Sequence, residues 1–377
     1  HDADDSFSKR LKPLFEVFDQ YDFKITITVF AFWAEWANNG KIWEEWRDSD
    51  NAILLPKAVP LEDHEEKNFY LELEKKGHEI GLHTTSDTSS KRKRVKDAFE
   101  FFKSIFGYYP KIYVEHRDNL ENHQQEGSNP NSDYFITDLL NKYGPWVWVV
   151  SPAGVPYEGR GEYYNILSQY KPLLGWKLNK IWGVVKNFLK TGVWRRKCGD
   201  EFLNILKTGS PFDYYSIGKY GLVKAFKRTG KSNKPNGDGF LEYYSEENIT
   251  KLEKNNGLAL VYTHFNTLWL DEKSIAMREE IKDRLKFIAS RNVWLAPASE
   301  MLDRFKLIEH INITYDLEWL KVTNANEETV KSLTILAPKN KILLNDQGRI
   351  EKFIGRKIVI REIKSKEILT MKICDLA

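Results

Sequence analysis

Three of the chain's eight histidines close apolar runs: His83 ends "HEIGLH", His116 ends "KIYVEH" with Arg117 next, and His264 ends "LALVYTH". The chain itself opens "HDADD", with carboxylates at Asp2, Asp4 and Asp5. Aspartate is a poor strand-interior residue and marks turns or solvated ends. The opening therefore reads either as a disordered acidic tail or as the end of a buried strand cut off at the fragment boundary. Imidazoles and carboxylates at the C-terminal ends of parallel strands are where α/β proteins gather metal ligands and bases. In "HTTSD", His83 and Asp87 are four apart, so on a helical turn they share one face. With Asp4 as a third ligand, that pair could hold a divalent cation. A three-ligand site with an open position activates water for hydrolysis. Asp87 suits equally well an N-cap run, "TTSDTSS", opening the helix that follows.

The other candidates have plainer readings beside them. His123 in "ENHQQ", with Asn122, either completes a ligand set or is a solvated loop residue. His64 and His310 sit in charged surroundings and read as surface residues, and His78 as a structural residue before "EIG". Trp146 and Trp148 in "PWVWVVSP" either line a sugar site with their aromatic faces or pack within a sheet.

The elements that position these residues follow from periodicity. "SKRLKPLFEVFDQYD" places Leu11, Leu14, Phe15 and Phe18 on one helical face, and "FKITITVFAFWAEW" is a buried strand. A helix in "NFYLELEKKG", the strand "HEIGLH", and a helix over Lys91 to Gly107 with Val95, Phe99, Phe102 and Ile105 on one side come next. "KIYVEH", "DYFITDLLNKYG" and "PWVWVVSP" continue the alternation, which argues a parallel sheet or barrel. Residues 153–240 break the pattern and read as an insertion. Alternation returns with "GLALVYTHF", "EKSIAMREEIKDRLKFIASR", "VWLAP" and "ASEMLDRFKLIEH". Beyond Ile311, "INITYDLEWLKVTN", "SLTILAP", "KILLND", "RKIVIREI" and "EILTMKICDL" are short strands, a small β-sandwich. The domains expected are 1–305 and 306–377, and the sandwich has no clear aromatic platform: it could bind glycan or only stabilise the chain.

Composition narrows the class. At 377 residues, 41% hydrophobic and 29% charged, the chain can bury a large core and is not a disordered protein. Its formal charge of +3 creates no strong overall field, and two distant cysteines argue against a disulfide framework or a thiolate metal site. No run of uncharged apolar residues is long enough to span a membrane. The exception to the mild charge is Tyr163 to Gly199, which has no acid but carries Lys171, Lys177, Lys180, Lys186, Lys190, Arg195, Arg196 and Lys197 among aromatics. Residues 171–197 read either as a helix covering its own core or as a contact for a membrane surface or an anionic or lipid-linked glycan. No nucleic-acid module accompanies the patch.

"GHEIGLHTTSD" resembles the second motif of the NodB-type polysaccharide deacetylases, carbohydrate esterase family four: Gly-His-Glu-Ile-Gly, then His-Ser/Thr-x-x-His. "HDADD" is similar to the family's paired-aspartate first motif, and "VYTHF" to its last, the likeness running over about 1–305 without the insertion. The resemblance implies a distorted (β/α) barrel, N-terminally truncated here, so the fold expected is that barrel with the inserted segment and the small C-terminal all-β domain read above. It implies Asp2 as general base, His264 as general acid, Arg117 as the residue orienting the base, and Asp4 and His83 as metal ligands. The expected cofactor is a divalent metal, zinc first, with manganese, cobalt or magnesium as alternatives. The expected reaction is hydrolysis of N- or O-acetyl groups on a polysaccharide or lipid-linked glycan, in the cell envelope or at the cytoplasmic face of the membrane. Two departures stand out. The second motif's last His is Asp87, leaving Asp87, His116 or His123 to complete the ligand set, and the prolines of the arginine motif are missing. A non-catalytic carbohydrate-binding relative is the alternative these departures favour.

Overall fold

The computed structural model describes residues 7–34, 59–116, 119–123, 125–149, 211–216, 218–226, 236–265, 268–271, 274–316, 318–336, 341–344, 350–354 and 357–375. The chain divides into two compact units, His1–Ser299 and Glu300–Ala377.

The first unit is mixed α/β. Helix α1 (Ser8–Gln20) buries Leu11, Leu14, Phe15 and Phe18, the face expected from its spacing. Strand β1 (Thr26–Val29), helix α2 (His64–Lys75), strand β2 (Glu79–His83), helix α3 (Arg92–Phe106) and strand β3 (Ile112–Val114) follow. After them come α4 (Thr137–Tyr143) and β4 (Trp146–Trp148). Helix α3 buries Val95, Ala98, Phe99 and Phe102 and ends at Gly107, whose φ of 82° is the left-handed conformation that a side chain resists. Strands β5 (Phe212–Ser216) and β6 (Leu222–Phe226) complete a six-stranded sheet of order β1-β2-β3-β4-β6-β5. Five strands are parallel; β5 pairs antiparallel with β6 at one edge. Helices α5 (Gly237–Tyr243), α6 (Glu246–Lys254) and α7 (Glu279–Ala289) follow, and α8 (Ala298–Glu309) starts at the end of this unit and belongs mostly to the second.

Two expectations change. Residues 212–226, read as insertion, supply a strand beside β4: "FDYYS" and "LVKAF" are short β-rich runs around a turn at Gly218–Tyr220. Residues 153–210 lie outside the described residues. "GLALVYTHF" and "VWLAP" form no ladder strand; the first has a single bridge residue, Val261. Val261 is 39% exposed and its neighbours Leu260 and Tyr262 are half-buried, an environment unlike a central strand buried on both faces.

The second unit contains two antiparallel sheets. Strands β7 (Ile311–Tyr315), β8 (Trp319–Asn324), β10 (Lys341–Leu344) and β13 (Ile368–Asp375) form one, in the order β10-β13-β8-β7. Strands β9 (Val330–Leu336), β11 (Ile350–Ile354) and β12 (Lys357–Ile363) form the other. Leu320, Val322, Leu369 and Met371 from the first sheet share one apolar cluster with Val330, Leu333, Ile335, Ile358, Ile360 and Ile363 from the second. Strand β11, "IEKFI", was not anticipated, because two charges interrupt its apolar pattern. Among the described residues no helix is long and apolar enough to cross a membrane.

Candidate functional site

Parallel register decides which side chains meet. His83 pairs with Val114 and Val114 with Trp148, so these three point from one face of the sheet at its C-terminal end. Phe30, one residue beyond β1, and His116, two beyond Val114, fall on the same side. The rings bear this out: His83 and His116 lie 5.0 Å apart between centroids, with Phe30 4.9 Å from His83 and 5.3 Å from His116. His83 is fully buried, its Nδ1 3.3 Å from Thr28 Oγ1.

The residue after His83 is strained. Thr84 has φ 45°, a left-handed conformation that β-branched residues avoid. It is held there by its N–H donating to Val114 O at 2.9 Å and its Oγ1 donating to Ser86 O at 3.2 Å. The carbonyl of Thr85 accepts the N–H of Ala31 and of Phe32. These bonds lay the 84–90 segment across the strand ends as bends, not as a helix. The helical relation expected between His83 and Asp87 therefore does not form. Asp87 does not cap α3 either, whose N-cap is Lys91. Its Oδ1 instead lies 3.6 Å from Nε2 of buried His116.

Behind this face sits a second polar group. Glu115 follows Val114 and alternates to the side of Tyr113, which stacks on Phe99 of α3 at 5.7 Å. There Glu115 Oε1 accepts from the backbone N–H of His123 at 2.7 Å and lies 2.6 Å from His123 Nδ1. Both side chains are fully buried. His123 is thus neither a solvated loop residue nor a neighbour of His83: it anchors the loop after β3. Ser128 Oγ donates to His123 O, and Gly127 packs so tightly that a Cβ there would sit 2.0 Å from Glu121 O. Glu121 accepts from Ser90 N–H at 2.9 Å and from the Asn119 amide at 3.2 Å. Burial pushes its carboxyl up to about 7, against those two donors. Glu115 and Glu121 escaped the sequence reading, since a carboxylate beside a loop looks solvated; the apolar run before Glu115 was the available signal.

The remaining candidates separate. Trp146 is 1% exposed, packed on Phe212 at 5.0 Å with Lys224 Nζ 4.9 Å from its ring centroid, so it has no face left for a sugar. Trp148 is half-buried and packs on Tyr262 at 4.5 Å, and the Tyr262 hydroxyl lies 2.9 Å from His264 Nε2. His78 is structural: Nδ1 accepts from Ile25 N–H, leaving Nε2 to donate to Asp19. Asp2, Asp4, Arg117 and 171–197 lie outside the described residues. Among the described residues no group of three or more His, Cys, Asp or Glu side chains is placed to hold a metal ion.

No family model and no curated protein matches the chain. Among solved structures, an Anoxybacillus alpha-amylase, described as giving insight into a new glycosyl hydrolase subclass, aligns over 95% of this chain and 77% of its own. At 10% identity and a TM-score of 0.20 that likeness carries no argument about fold or activity.

Proposed function

We propose that the chain is a metal-dependent polysaccharide deacetylase-like hydrolase that removes N- or O-linked acetyl groups, on a distorted (β/α) barrel. One observation supports this above the others: His83, His116 and Asp87 gather at the C-terminal ends of neighbouring parallel strands, on the face that also carries Trp148. That edge is where α/β proteins place their chemistry.

The donor types suit a divalent cation in kind, imidazole beside carboxylate. In this reading His83 and Asp87, with Asp4, would hold it; the imidazole that the structure sets beside Asp87 is that of His116, at 3.6 Å. Bound there, a divalent cation polarises an acetyl carbonyl and acidifies a water. In this reading Asp2 takes up the proton of the attacking water, with Arg117 orienting its carboxylate. His264 gives a proton to the leaving group, and Trp148 walls the sugar. His116 places a second imidazole beside position 87, where the resembling motif has one and this chain has a carboxylate.

The deciding experiment measures metal and turnover together. Zinc, and separately manganese, is equilibrated with the chain and with Asp4→Ala and His83→Ala, excess is removed, and bound metal is counted. Acetate release from acetylated polysaccharide is then followed with wild type and Asp2→Asn. About one metal per chain, lost in both ligand variants, with acetate release abolished in Asp2→Asn, is expected. Metal no higher than in the variants would overturn the reading in favour of a binding protein without chemistry.

A further inference from the structure

We propose that the outer face of the β7–β8–β13 sheet binds an anionic polysaccharide. Strand alternation puts Leu320, Val322, Leu369 and Met371 inward and leaves the intervening positions outward. Across the ladder, Trp319 lies opposite Lys372, Lys321 opposite Thr370, and Thr323 opposite Ile368. On the other side, Thr314 lies opposite Lys321 and Asn312 opposite Thr323. These eight outward positions carry two lysines and no acid. All are exposed except half-buried Thr323.

Single apolar residues on a surface are ordinary. What distinguishes this face is the combination. Trp319 is 38% exposed and Ile368 62% exposed, at opposite ends of this ladder. Directly opposed residues on such a ladder have Cβ atoms about 4.5–5.5 Å apart, so Lys372 and Trp319 leave the sheet side by side on this face. An indole face packs on the apolar C–H face of a pyranose, and threonine and asparagine side chains meet its hydroxyls. The two ammonium groups select a polymer bearing carboxylate, phosphate or sulfate over a neutral one. Carboxylates bound this face in its turns, and one of them, Asp316, interacts electrostatically with Lys321. Asp316 directs Oδ1 at the N–H groups of Glu318 and Trp319, and Glu367 accepts from Lys364 N–H. The claim concerns binding alone and stands independently of the hydrolytic reading.

The test uses the full chain, titrated calorimetrically with polygalacturonate and with the same polymer fully methyl-esterified. Polygalacturonate is expected to bind at least tenfold more tightly than its ester. Trp319→Ala should weaken both by tenfold or more, and the double variant Lys321→Gln/Lys372→Gln should remove the preference for the charged polymer. All three side chains are exposed, so unchanged circular dichroism should accompany each variant. Three results would overturn the proposal: no binding by the wild type, binding unaffected by the three substitutions, or binding to anionic phospholipid vesicles or single-stranded DNA at least as tight as to polygalacturonate.

Discussion

A single carboxylate oxygen, Glu115 Oε1, accepts the backbone N–H of His123 and faces its Nδ1, at 2.7 and 2.6 Å, with both side chains fully buried. An ionised carboxylate only accepts, so Nδ1 is the donor towards Glu115. The pair closes the loop between β3 and α4, the loop that also presents His116 to Asp87.

Replacing Glu115 by Ala leaves two buried donors on His123 without this acceptor, a cost of about 1–3 kcal/mol each. Opening of the loop should become on the order of a hundredfold more frequent. Hydrogen exchange at the amides of Asn122, His123 and Gly127 reports it, with the β1–β2 amides as internal reference. Exchange in the loop within twofold of wild type would refute the anchoring role.

Glu66 on α2 accepts from Ser8 N–H and Ser8 Oγ at the start of α1, fully buried. Burial pushes its carboxyl up to about 8, with those donors opposing. A carboxyl raised in the folded state favours folding fully below its unfolded value, near 4.5, and the benefit is lost as pH rises through about 8. In that window the slope reaches at most ~1.4 kcal/mol per pH unit. Glu66→Gln should flatten the fall in urea stability between pH 5 and 8. Parallel curves for variant and wild type would show that the carboxyl stays ionised.

Thr84 holds φ 45° immediately after His83. Glycine tolerates that conformation and alanine does not, while both lose the hydroxyl. Thr84→Gly should therefore exceed Thr84→Ala in stability by about 1 kcal/mol. Equal urea midpoints for the two would mean that the strain is relieved in solution.

The Tyr262 hydroxyl lies 2.9 Å from His264 Nε2. Removing it in Tyr262→Phe should move the ring nitrogen resonances of His264 and, if His264 is the proton donor, lower kcat about fivefold with KM unchanged, a loss near ~1 kcal/mol. Unmoved resonances would show that the contact does not position His264.

Much was legible from local pattern. The faces of α1 and α3, the strand ending at His83, the strand within "KIYVEH" (which stops at Val114, two residues short of His116) and the β-rich tail all follow from side-chain periodicity, which adjacent residues impose on their own backbone. His83 at the end of β2 was visible for the same reason: an apolar run stops where a polar side chain begins.

What the sequence by itself determined is thus which segments are helix or strand over most of the chain, and that His83 closes a strand; His116 stands two residues beyond β3 and His264 follows no ladder strand. Tertiary structure alone decided the partners. His116 meets Asp87 and His123 meets Glu115 because two loops fold over the sheet edge. Trp146 is buried and Trp148 less so because β6 and β5 cover one and not the other. "GLALVYTHF" reads as a strand and forms no ladder, because strand formation needs a neighbour that no local pattern names. Trp319 became a platform candidate only when the register put Lys372 opposite it on the ladder. Periodicity is a property of neighbours in sequence, whereas hydrogen bonds and ladder register join residues far apart in it.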